Sequence, residues 1–89
     1  MTQPGVYILQ SIKNGYYYIG STNNIERRMK EHQGGQSRAT RHLRPLELRL
    51  FYPVKTLSEA RSLEHRLKRA KNRKLINQII IDQDIKMDA

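Results

Sequence analysis

Tyr7, Tyr18, Arg28 and His32 are the residues whose types and spacing could do chemistry. The tyrosines lie in two short runs of β-formers, Gly5-Val6-Tyr7-Ile8-Leu9 and Tyr16-Tyr17-Tyr18-Ile19-Gly20. The arginine and histidine stand one helical turn apart in Ile25-Glu26-Arg27-Arg28-Met29-Lys30-Glu31-His32. A phenol with a free pKa of about 10 can take a proton from water if nearby positive charge lowers it. A guanidinium is always charged and can hold two phosphate oxygens at once. An imidazole can hold the phenol or assist its proton transfer. These are the parts that cleavage of a phosphodiester needs.

The elements that would position them are legible. Asn14-Gly15 between the two runs is a hairpin signal, because both central residues of a type I′ turn need positive φ. Any loop with an even number of residues makes paired positions sum to an odd number, so Tyr7 and Tyr18 project to the same side of the sheet. A two-residue Asn14-Gly15 turn offsets them along the strands, a longer even loop brings them closer, and an odd loop or a bulge separates them onto opposite faces.

Ser21-Thr22-Asn23-Asn24 supplies N-cap residues for a helix over about residues 24–32. Its stripe is Ile25, Met29 and His32; Arg28 borders that stripe while Arg27 points well away from it. Gly34-Gly35 ends the helix through a left-handed residue. Residues 36–46 read as a basic connector with a short helical turn, and residues 47–52 as a third strand with Leu48, Leu50 and Tyr52 on one face. A long helix over about 58–70, capped by Ser58, carries the stripe Ala60, Leu63, Leu67 and Ala70 with Glu64 at its margin. A shorter one over about 73–81 carries Leu75, Ile76, Ile79 and Ile80.

The chain has 89 residues, no cysteine and a net charge of +9. That length suits one domain, taken as residues 1–81 with a frayed tail over 82–89, and the missing thiols exclude a disulfide framework. Three of the eight acids lie in the last eight residues, so residues 1–81 carry +11. A field of that sign draws in nucleic acid by neutralising phosphates. The longest apolar run, Ile79-Ile80-Ile81, cannot cross a bilayer, and Met1-Thr2-Gln3-Pro4 does not open a secretory signal. The expectation is a cytoplasmic protein without a membrane partner.

With these residues placed, the chain resembles the GIY-YIG nuclease family in its small stand-alone form, and is similar to the N-terminal nuclease domain of the excision-repair protein UvrC and to homing-endonuclease catalytic domains. Gly5-Val6-Tyr7 matches the first motif with valine for isoleucine, and Tyr18-Ile19-Gly20 matches the second intact. Arg28 matches the family arginine, four residues before a histidine, here His32. Glu64, within Leu63-Glu64-His65-Arg66-Leu67-Lys68, matches the metal-binding glutamate, and Asn77 stands about where the family has a late asparagine.

The resemblance implies an α/β (α+β) fold, a three-stranded antiparallel sheet flanked by helices in the order β-β-α-(short α)-β-α-α. It implies an endonuclease cutting DNA with one divalent ion, Mg²⁺ or Mn²⁺, in a DNA repair or recombination setting. Tyr7 would be the base, Tyr18 and His32 its hydrogen-bonding neighbours, Arg28 the charge stabiliser, and Glu64 the metal ligand. Gly5 and Gly20 would let backbone pass close to the site.

Arg27, Arg38, Arg41, Lys68, Lys71 and Lys74 are the candidate phosphate contacts. Nothing in the sequence separates DNA from RNA. Four other readings stand beside this one. Glu64 could simply pair with Lys68 at i, i+4, and His32 could be a core residue. The fold could bind nucleic acid without turnover. The isoleucine-rich C-terminus could contact a partner protein or a second copy of the chain.

Overall fold

A computed structural model describes residues 2–85. Three strands, β1 (Gly5–Ser11), β2 (Tyr17–Thr22) and β3 (Leu46–Pro53), form one antiparallel sheet in the order β2-β1-β3. The helices are α1 (Ile25–Gln33), α2 (Leu57–Ala70) and α3 (Arg73–Asp82), and a 3₁₀ turn spans Arg41–Leu43. This is the expected α+β architecture and element order.

Helices cover both faces of the sheet, which explains why central β1 reads as an almost unbroken apolar run rather than an alternating one. Val6, Ile8, Ile19 and Leu50 pack with Ala60 and Leu67 of α2, with Ile76, Ile79 and Ile80 of α3, and with Ile85. Tyr7, Leu9, Leu43 and Leu46 form the second core, joined by Tyr18, Ile25, Met29 and Phe51. The expectation that the chain frays from Asp82 covers residues only partly described. Ile85 is buried in the first core, and the Gln83 side chain donates to the Arg49 carbonyl at 3.0 Å, while residues 86–89 lie outside the described ones.

The hairpin closes through the longer even loop. Ser11 N–H donates to the Tyr16 carbonyl at 2.9 Å, and Gly15, at φ +79°, donates its own N–H to the Ser11 carbonyl at 2.8 Å. Ile12–Gly15 is therefore a four-residue connection instead of a two-residue type I′ turn. Tyr7 pairs with Gly20, and Leu9 with Tyr18, which fixes both phenols on one face.

Three sequence expectations about elements need correction. Leu48 and Leu50 do not share a face, because the β1–β3 register shifts between Ile8 and Leu9. Ile8 pairs with Leu50 but Leu9 pairs with Leu48, so Arg49 is the extra residue of a bulge, and Leu48 is left 40% exposed. The cap of α2 is Thr56, not Ser58: its hydroxyl accepts the Glu59 N–H at 3.1 Å, the Thr-x-x-Glu spacing of a capping box. The helix thus starts at Leu57. Its stripe also fades at the C-terminal end, where Ala70 is exposed.

Candidate active site

The phenol of Tyr7 is the centre of the site. Its strand is hydrogen-bonded on both sides, and the residue is almost fully buried against Phe51 and Leu43. Gly20 faces it directly across the β1–β2 ladder. A Cβ built at Gly20 would run into the Tyr7 ring carbon Cζ and its oxygen, so the second motif ends in glycine because the phenol occupies that space. The glycine of the first motif has a similar cause. A Cβ at Gly5 would stand 2.6 Å from Phe51 Cζ and from the Tyr52 carbonyl oxygen.

His32 comes to Tyr7 from the last turn of α1, where it is fully buried. Its Nε2 lies 2.8 Å from the Tyr7 oxygen, and its Nδ1 lies 2.6 Å from Thr40 Oγ1. Tyr18 completes the group. Its ring centroid is 6.4 Å from that of Tyr7 and 5.5 Å from that of His32. Three rings thus meet edge-on or tilted, the geometry aromatic pairs prefer.

Helix α1 also brings Arg28. Asn24 caps this helix, accepting the Arg27 N–H at 3.1 Å, so its phase is fixed from the first turn. That phase separates the neighbouring arginines. The Arg28 side chain is 29% exposed and its charge acts on the Tyr7 phenol, whereas Arg27 is 55% exposed and donates to Asn23 Oδ1. Arg28 is also held by Glu31 at 2.8 Å, one turn along. Desolvation works against the charge of Arg28, but its bond to Glu31 and the neighbouring Tyr7 oxygen outweigh that and raise its pKa. In return, the bond from Arg28 lowers the pKa of Glu31.

Burial dominates the electrostatics of the other two groups. It pushes the Tyr7 phenol up to about 12, against the lowering by Arg28 and with smaller contributions from Tyr18 and Glu64. Burial, helped by the charge of Arg28, pushes His32 down to about 4. At neutral pH both are uncharged.

Glu64 reaches this region from α2 at the β2 edge. One carboxylate oxygen accepts from Ser21 Oγ at 2.5 Å, and the other pairs with Lys68 Nζ at 2.6 Å. The side chain is 21% exposed. The i, i+4 pair expected with Lys68 therefore forms, and a bond to the residue just after Gly20 forms with it. A groove of about 320 Å³ opens beside Ser21 and Arg28, walled also by Arg27, Glu31 and Arg61. Among the described residues no cluster of three acidic, histidine or cysteine side chains could surround a metal.

Among the residues expected around the phenols, Asn77 stands apart. Helix α3 runs unbroken through it, and its Oδ1 accepts from Tyr17 at 2.6 Å. Tyr17 packs on the other face of the sheet from Tyr7 and Tyr18, so Asn77 does not join the phenol cluster.

The candidate phosphate contacts divide by location. Lys68 and Lys71 border a groove of about 470 Å³ along β2 that also takes in Tyr16, Tyr18 and Arg73. The Lys68 ammonium stands 5.5 Å from the Tyr18 ring centroid, and the Arg73 guanidinium 4.8 Å from that of Tyr17. Arg38 and Arg41 lie exposed on the connector after α1, and Lys74 lies exposed on α3. His42 and His65 are exposed as well.

Sequence reasoning missed Thr40, Glu31 and Ser21. Glu31 carried a signal, since it stands at i, i+3 from Arg28 on one helix. Ser21 directly follows the second motif. Thr40 sits in an irregular segment with no period to mark it.

Two phenols on one face of the sheet, a motif glycine on each of β1 and β2, and an arginine on the helix beside them make an arrangement that suits a nuclease domain. The chain belongs to the GIY-YIG catalytic domain family, which matches residues 3–77. It is 39% identical over 83 residues to a UPF0213 protein of Clostridium perfringens, covering 91% of this chain and 86% of that one. It is 42% identical over 65 residues to a UPF0213 protein of Nitratidesulfovibrio vulgaris, covering 72% and 58%. A UPF0213 protein of Halobacterium salinarum is 36% identical over 64 residues, covering 71% and 82%. No solved structure matches the chain at a comparable level. Among the described residues no helix is long and apolar enough to cross a membrane.

Proposed function

We propose that this protein is a divalent-metal-dependent endonuclease that hydrolyses phosphodiester bonds in DNA. The observation that carries the reading is the Tyr7 phenol, buried on the central strand, held by His32 and acted on by Arg28. Hydrolysis needs a water deprotonated as its oxygen attacks phosphorus, while the opposite P–O bond breaks and its oxygen departs with the electron pair. Tyr7 accepts the water proton. Arg28 stabilises the negative charge that grows on the phosphoryl oxygens. Tyr18 and His32 keep the phenol in one orientation, because they close the space around its ring.

The phenol is not ready at rest. With its pKa pushed up to about 12, Tyr7 stays protonated until more positive charge arrives. Glu64 fits a role in supplying it. A hard cation such as Mg²⁺ or Mn²⁺ keeps most of its waters and needs one or two carboxylates plus the substrate phosphate, so a single glutamate suffices. The carboxylate already holds a cation, the Lys68 ammonium, and is close enough to Tyr7 to perturb its phenol. A bound ion would polarise the phosphate and favour deprotonated oxygen beside it. Lys68, Lys71 and Arg73, with Arg27 and Arg61 at the other groove, support a substrate backbone running along the β2 edge.

The test is Glu64→Gln. It should abolish Mg²⁺- or Mn²⁺-dependent nicking of supercoiled DNA while DNA binding by gel shift survives. Equal cleavage by the variant would remove Glu64 from the mechanism. If the natural protein cuts no duplex, branched or single-stranded substrate with either ion, a nucleic-acid-binding module is the better description.

A further inference from the structure

The contact between Tyr7 and His32 leaves open which atom donates, and that choice decides what the histidine can do. The neutral imidazole carries one N–H. If Tyr7 donates to Nε2, the proton sits on Nδ1 and Thr40 must accept it. If Thr40 donates to Nδ1, the proton sits on Nε2 and Tyr7 accepts it. The chain Tyr7–His32–Thr40 therefore holds three protons and only two internal bonds, 2.8 Å and 2.6 Å long. One hydroxyl proton at one end has no partner among the described residues.

The two ends differ. Thr40 is fully buried, and its hydroxyl makes no other hydrogen bond among the described residues; its backbone N–H and carbonyl are already spent on Ser37 and Leu43. A proton left over there would be a buried donor without an acceptor, the arrangement folded proteins avoid. Tyr7, at the other end, is itself almost fully buried, but the Arg28 beside it lines the open groove. An acceptor can arrive there with the substrate.

We propose that Thr40 is a positioning residue that donates to His32 Nδ1 and so fixes the imidazole as the Nε2–H form, a hydrogen-bond donor to Tyr7. His32 then does not take the phenol proton. It stabilises the phenolate together with Arg28, and the Tyr7 proton leaves on the groove side. The neutral histidine this requires is the state its burial enforces. The catalytic consequence rests on the nuclease reading above; the tautomer itself does not.

The imidazole ¹⁵N and attached-proton NMR spectrum of the intact, labelled protein at neutral pH tests the assignment. The His32 signals are identified among the three histidines by their loss in His32→Gln. The expected result is a protonated Nε2 and an unprotonated Nδ1. Thr40→Val removes the donor, so the single form should give way to a mixture with averaged shifts. Cleavage should fall about tenfold or more in kcat with KM unchanged, as for lost partners behind a reacting group. Thr40→Ser should restore both. A proton on Nδ1 in the natural protein overturns the proposal, even if Thr40→Val does not fold. A rate loss in Thr40→Val with the tautomer unchanged overturns it too, since the fault would then be packing. Absence of cleavage by the natural protein would sink the nuclease reading and leave the tautomer result standing.

Discussion

Replacing His32 with glutamine should remove a specific pH dependence of folding. In the folded chain, burial and the charge of Arg28 hold His32 at about 4, below its ordinary 6.5. The unfolded state therefore binds more protons than the folded one between those values, and stability must rise with pH across that window. It is fully present above pH 6.5 and is lost as pH falls toward 4. Each pH unit is worth about 1.4 kcal/mol, so the whole window contributes about 3 kcal/mol. That is a large part of the roughly 5–15 kcal/mol expected for a domain. Urea unfolding of the natural protein and of His32→Gln at a series of pH values reads it directly. Carboxylates titrate in both proteins and cancel in the difference. The difference curve should be flat above neutrality and fall by about 3 kcal/mol on acidification. A difference independent of pH would refute the argument, because His32 would then charge as easily in the fold as outside it.

Two further outcomes test the site's geometry. Gly20→Ala places a methyl group where the Tyr7 ring sits. It should lower stability by about 1–3 kcal/mol in a thermal melt, and abolish nicking even at temperatures where the variant stays folded. Unchanged activity would mean that the phenol's position does not matter. Arg28→Ala should suppress cleavage far more than Arg27→Ala, because of the two arginines it is Arg28 that acts on Tyr7, and parallel rate measurements with equal losses would contradict the helix phase.

The features readable in the sequence were those with a period or a parity. Whether Tyr7 and Tyr18 share a face depends only on whether the loop is even, and the four-residue connection satisfies that as well as a two-residue turn would. Arg28 and Arg27 were separable because a helix assigns fixed angles to successive residues. The bulge at Arg49 was hidden by the same logic, since Leu48, Leu50 and Tyr52 alternate as a straight strand does. Ser58 looked like a cap by residue type, yet the spacing from Thr56 to Glu59 carried the real signal. Thr40 reaches His32 through tertiary packing of an irregular segment, and no local pattern records such a meeting. Asn77 was placed by its order along the chain, but a continuous α3 carries it to the opposite face.

The sheet order has a mechanical consequence. Tyr7 stands on the middle strand, laddered to β2 on one side and to β3 on the other, so its Cα cannot drift without breaking two sets of backbone bonds. The groups around it come from an edge strand and from helices anchored by side chains. Adjustment to an incoming ligand therefore falls on the surroundings and leaves the phenol as the fixed point. Amide exchange should follow that division, slowest along Val6–Leu9 and faster at Tyr17–Thr22.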